Sequence, residues 1–177
     1  MKYSILDQKR HWMYFVLFMI GIILIIWEIT IYRITIIDFK VPILLIITIG
    51  TFMYLMDIKR YSETYEIRYV KLFAWIQNTV SWGFIACTVF MAINKYFAVD
   101  NSHTAEYQID NMSTMAGRPR TKSNERLLVR VKYKDDIKEL VFSKEQLKQM
   151  ETSKSVTLKT KKGFFGYDII EEQIMNN

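Results

Sequence analysis

A chain of 177 residues that is 51% hydrophobic and 15% aromatic, yet 24% charged, divides at about Asn94 into an apolar part and a polar part. The net charge of +6 is shared: nine Lys and Arg face six Asp and Glu through Asn94, and fifteen face twelve beyond it, so no basic block typical of a nucleic-acid binder stands out. A single cysteine, Cys87, excludes an internal disulfide or a Cys-based zinc site within one chain and reads as a small packing residue in an apolar run.

Three apolar runs open the chain: 12–32 (WMYFVLFMIGIILIIWEITIY), 41–57 (VPILLIITIGTFMYLMD) and 70–93 (VKLFAWIQNTVSWGFIACTVFMAI). A hydrocarbon core about 30 Å thick needs about 20 apolar residues in a helix. The first and third runs reach that length. Ile36, Ile37 and Phe39 extend the second to 36–57, with Pro42 in its first turn, where a missing N–H costs little. Residues 1–94 are therefore expected to form a three-helix transmembrane domain, with helices at about 12–32, 36–57 and 70–93. The first run is too long for a cleaved signal peptide and has no small-x-small site after it, so it reads as an uncleaved start-transfer helix.

Within the first helix, Glu28 is an intramembrane acid costing roughly 2.5–3.5 kcal/mol at the bilayer centre. Beside Trp27, Tyr32 and Arg33 it reads as a snorkelling side chain. The sharper alternative is a proton or cation site. Flanking bases set the orientation. Lys2, Lys9, Arg10, Lys59, Arg60, Arg68 and Lys71 fall on one side, and Arg33, Lys40 and Lys95 on the other. Seven against three predicts a multi-pass protein of the inner cell membrane, with its N-terminus cytoplasmic and its C-terminal domain extracytoplasmic.

In the third helix Ala74, Ser81 and Thr88 recur every seven residues, with Gln77 on the same face. Small and hydroxyl side chains at this spacing let helices approach closely and hydrogen-bond. They suit packing against the other two helices. They equally suit self-association, in which Gln77 and Asn78 would line a polar pore.

Residues 104–172 are expected to form a small β-rich domain. EYQID (106–110) alternates, and RLLVRVKYK (126–134) puts Leu127, Val129, Val131 and Tyr133 on one face and Arg130, Lys132 and Lys134 on the other. Asp135-Asp136 turns the chain and IKELVF (137–142) returns antiparallel. Ser143 followed by Gln146 fits a capping box, so a short helix starts at Lys144. Strands at 155–163 and 164–170 close an SH3-like or OB-like barrel, or a compact α+β sandwich. Such a thin core implies support from the membrane half or from sister subunits.

In KKGFFGYDII (161–170) two lysines run into Gly163-x-x-Gly166. A GxxG loop that clamps a nucleic-acid backbone lies between helices. This one lies between strand-like segments, so it reads as a turn and a bulge. The loop GRPRTK, with Arg118, Arg120 and Lys122, is solvated or meets anionic headgroups or an acidic partner. His11 and His103 are the only histidines, and no catalytic or metal-binding motif is present. The expectation is a protein without catalytic residues, metal or other cofactor, and without nucleic acid as partner.

Three short apolar helices followed by a strand-rich tail ending VTLKTKKGFFGYDII, with Val156, Leu158, Lys162, Gly163 and Gly166 as its pattern, resembles many small bacterial multi-pass membrane proteins of uncharacterised role with a C-terminal β-rich domain. The resemblance covers at most 126–170. It implies a bacterial membrane setting and assigns no residue a role. Three functions fit these expectations. One is an accessory or scaffold component whose β-domain docks a protein partner. The second is an oligomeric membrane-permeabilising effector of an antiphage or toxin system, and the third is a membrane immunity protein.

Overall fold

The computed structural model describes residues 5–65, 67–115, 126–133, 136–142 and 153–176. Three long apolar helices are followed by a five-stranded antiparallel curled sheet. The chain divides into two compact units. The first holds residues up to Tyr32 and Asp38–Ile93; the second holds Arg33–Ile37 and everything from Asn94 on.

In the helical unit, α1 (Ile5–Ile34) and α2 (Lys40–Thr64) are single helices. The third long helix joins α3 (Val70–Asn78), a π-helical turn (Thr79–Gly83) and α4 (Phe84–Tyr96) without a break. Gln8–Ile34, Lys40–Thr64 and Val70–Tyr96 are each long and apolar enough to cross a membrane. Their outward faces carry exposed Ile23, Ile26, Leu44, Leu55, Phe73 and Val89, a surface suited to hydrocarbon rather than water.

The close crossings are made at residues without bulk. A Cβ on Gly21 would run into the Val80 carbonyl, one on Gly50 into Thr79, and one on Gly83 into the Ile46 carbonyl. All three contacts involve the π-helical turn. The small-residue approach expected at Ala74, Ser81 and Thr88 is therefore shared with glycines on all three helices.

The second helix departs from its expected start at residue 36. Thr35–Ile37 are β-branched and extended rather than helical. Thr35 forms an antiparallel bridge with Ile169, and the Ile36 N–H donates to the Asp168 carbonyl (2.7 Å). The helix starts instead at Lys40, whose N–H donates to the Asp38 carboxylate (3.0 Å), and it keeps Pro42 in its first turn. It then runs past residue 57 to Thr64. The hydroxyls of Ser62 and Thr64 donate back to the Lys59 and Arg60 carbonyls in that polar extension.

In the second unit, β1 (Ser102–Met115), β2 (Arg126–Tyr133), β3 (Asp136–Phe142), β4 (Ser155–Lys162) and β5 (Asp168–Asn176) lie in the order β3-β2-β1-β4-β5. The first strand, expected at 106–110, is longer because it serves two partners. Residues 102–108 pair with β4 and 109–115 with β2, with a bulge between Ile109 and Asn111. The sheet curls at that bulge. Among the described residues no backbone ladder closes β3 onto β5. The Gln173 amide donates to the Val141 carbonyl across that gap (2.8 Å).

The inward face of β2 is the predicted one: Leu127, Val129, Val131 and Tyr133 are buried with Phe142 and Leu158 in one core. On the outward face Arg130 forks onto the Glu139 carboxylate directly opposite (2.7 and 2.8 Å). The last strand, expected at 164–170, starts instead at Asp168, because residues 164–167 are consumed by the turn. The helix expected from Lys144 lies outside the described residues.

Candidate functional site: buried polar groups in each unit

The third helix holds the expected polar side chains on a buried face. Ala74, Asn78, Ser81 and Thr88 are all buried, and Gln77 is half-buried. The Gln77 amide donates to the Tyr14 carbonyl of α1 (2.7 Å) and to the Ser81 hydroxyl (3.2 Å). The Asn78 amide donates back to the Ala74 carbonyl within its own helix (2.9 Å). Near the same level the Trp75 indole N–H donates to the Thr51 hydroxyl of α2 (3.0 Å). These groups knit three helices of one chain together.

Glu28 does not snorkel toward Arg33. It is only 7% exposed, and the Cys87 thiol of the third helix donates to its Oε1 (2.5 Å). Oε2 and the neighbouring Thr88 hydroxyl have no hydrogen-bond partner. The cysteine is fully buried, as a packing residue should be, but it is also the donor to Glu28, a buried acid in the last third of α1. Nothing in the linear sequence carries that pairing, because 59 residues separate the two side chains.

The β-unit has a polar cluster of its own. Lys138 lies opposite Val131 on the face it shares with Leu140 and Phe142, and it is 8% exposed. Its Nζ donates to the Thr35 carbonyl (2.6 Å), and burial lowers its pKa to about 8. The Tyr133 hydroxyl donates to the Asp168 carboxylate (2.8 Å). Burial first, then that carboxylate, pushes the phenol upward. Lysine and tyrosine thus hold the 33–37 segment and the start of β5 on the sheet. The lysine is a buried fastener. The two-residue period of a strand puts Lys138 on the face of Leu140 and Phe142, a signal that the reading of IKELVF as a strand contains but that was not drawn from it.

At the turn, Asn94 is fully buried. Its carbonyl accepts the Phe164 N–H (3.1 Å), its Oδ1 accepts the Phe165 N–H (3.0 Å), and its Nδ2 donates to the Tyr167 carbonyl (3.1 Å). A Cβ on Gly163 would run into that amide, and Gly166 has φ +87 with open space around it. The Gly-Phe-Phe-Gly segment is therefore a turn fastened to the end of the third long helix. In sequence, Asn94 reads only as the edge of an apolar run.

A shallow open depression lies over Glu106, Gln108, Ile109, Lys154 and Ser155. Hydrogen bonds from Ser155 and Asn176 lower the pKa of Glu106 at its rim. Arg118, Arg120 and Lys122 lie outside the described residues. Among the described residues no three His, Cys, Asp or Glu side chains gather as metal ligands would. No protein family, curated protein or solved structure matches this chain.

Proposed function

We propose that the protein is a non-enzymatic integral membrane component, an accessory or scaffold subunit whose curled sheet docks a protein partner. One observation carries this reading. The polar face of the third helix is taken up inside a single chain: Gln77 bridges to α1, and Asn78 and Ser81 are buried. A pore-lining face would keep those groups for water and for other copies.

The proposed placement is a multi-pass protein of the inner membrane, with the N-terminus cytoplasmic and the β-unit outside. The distribution of flanking bases supports it. So does the grouping of 33–37 with the chain from Asn94 on. Two crossings between Arg33 and Asn94 return the chain to the side it left.

The test reconstitutes the full chain into vesicles carrying an ion gradient. The expected result is a gradient as stable as in empty vesicles. If the wild type collapses it, and Gln77→Leu or Ser81→Leu restores it, the permeabilising-effector reading replaces this one.

The unpartnered Oε2 of Glu28 supports a second reading, uptake of a proton or small cation within the helical unit. Sodium or potassium would then raise the melting temperature of the wild type but not of Glu28→Gln. An equal response in both removes the small-cation form of that reading.

A further inference from the structure

The Gly-Phe-Phe-Gly turn raises a second question: why are two phenylalanines left in the open at its tip? Phe164 is 60% and Phe165 43% exposed. Their rings meet edge-on (centroids 5.1 Å apart), and Phe97 meets Phe164 edge-on at 6.3 Å. Phe97, Phe164 and Phe165 thus form one uncovered cluster, and Tyr96 and Val99, close to Phe97 in the chain, are exposed as well. A water-facing turn gains nothing from such residues.

The turn is also rigidly placed. Asn94 makes three hydrogen bonds to it, and the Gly163 N–H and Tyr167 carbonyl close its neck (3.0 Å). Asn94, Lys95 and Tyr96 are the last residues of the third long helix, within the same unit as the turn. Where such a helix ends, the hydrocarbon gives way to headgroups, and aromatic rings concentrate there. Lys95 lies over the Tyr96 ring (5.5 Å) and Lys162 is exposed at the neck of the turn, so bases flank the rings as they do in interfacial anchors.

We infer that Phe164 and Phe165, with Phe97 beneath them, form a wedge that inserts into the lipid interface at the end of the third helix. The wedge anchors the sheet to the bilayer surface. This rests on the membrane reading above, and the occupant is the bilayer itself rather than a second protein.

The test places nitroxide labels at Phe164→Cys and Phe165→Cys, each in a Cys87→Ser background that keeps a donor for Glu28. The full chain is reconstituted in vesicles of equal parts phosphatidylethanolamine and phosphatidylglycerol. Collision with oxygen is compared with collision with a water-soluble nickel chelate. Leu44→Cys serves as the bilayer control and Lys132→Cys as the aqueous one. A ratio of oxygen to nickel collisions severalfold higher at 164 or 165 than at 132 supports the wedge. Aqueous ratios at both turn positions, with a lipid ratio at 44, overturn it and leave the membrane reading standing. An aqueous ratio at 44 overturns both.

Discussion

Lys138 is the residue whose chemistry the fold alters most plainly. Its side chain is buried on the core face of β3 with the ammonium bonded to the Thr35 carbonyl, and burial brings its pKa down from 10.5 to about 8. A base whose folded pKa is depressed binds fewer protons in the folded than in the unfolded state between those two values. Stability must therefore rise with pH across that window. Tyr133 works the other way only above its unfolded pKa near 10, because the folded phenol keeps its proton longer. Between pH 8 and 10 the lysine acts alone of the two, and a gain of about 2 kcal/mol in unfolding free energy is expected there. Lys138→Met should flatten that slope and leave stability at pH 7 equal or higher, since an apolar group of similar length replaces a buried charge. Denaturant melts of the β-unit signal in the full chain, taken at several pH values, check this. An unchanged slope in Lys138→Met would assign the pH dependence to other groups.

At the scale of elements, alternation and apolar length were legible and partner choice was not. The inward face of β2 and the start of the third helix at Val70 follow from period-two and apolar-run patterns that depend only on neighbouring residues. The start of α2 did not follow from apolarity, because Ile36 and Ile37 are as apolar as the helix they precede. Their β-branches and a vacant edge beside Asp168 and Ile169 decided for extended backbone. The displaced last strand has a similar cause, since the turn needs residues 163–167 to meet Asn94 before pairing can begin.

That turn separates two costs of glycine replacement. Gly166→Ala meets no neighbour and loses only the left-handed backbone, about 1 kcal/mol. Gly163→Ala keeps an ordinary backbone but must push aside the Asn94 amide and the Tyr167 carbonyl, so a loss of about 1–3 kcal/mol is expected. Thermal melts of the two variants should rank Gly163→Ala clearly lower. The reverse order would mean that Asn94 does not hold the turn. In the helical unit Gly83→Ala faces the Ile46 carbonyl in the same way, and a loss of about 1–3 kcal/mol is expected in detergent unfolding. A neutral result would show that the helices separate there at little cost.

For the molecule as a whole, the arrangement of the chain makes a demand that side-chain detail cannot change. Residues 33–37 and the chain from Asn94 on form one compact unit, so under the proposed membrane placement the segment after α1 and the segment after the third helix emerge on one side of the bilayer. The segment joining α2 to α3, which carries Arg68, must emerge on the other. In the orientation proposed above from the flanking bases, Arg68 lies inside. In a Cys87→Ser background, Asp38→Cys and Lys132→Cys should therefore react with a membrane-impermeant maleimide on intact cells, while Arg68→Cys should react only after lysis. All three side chains are exposed, so access to reagent is decided by the membrane. Labelling of Arg68→Cys alone would invert the orientation but keep the three crossings, and would turn the sheet toward cytosolic partners. Opposite behaviour of Asp38→Cys and Lys132→Cys would break the three-crossing arrangement itself, because no bilayer can separate two segments that fold as one unit.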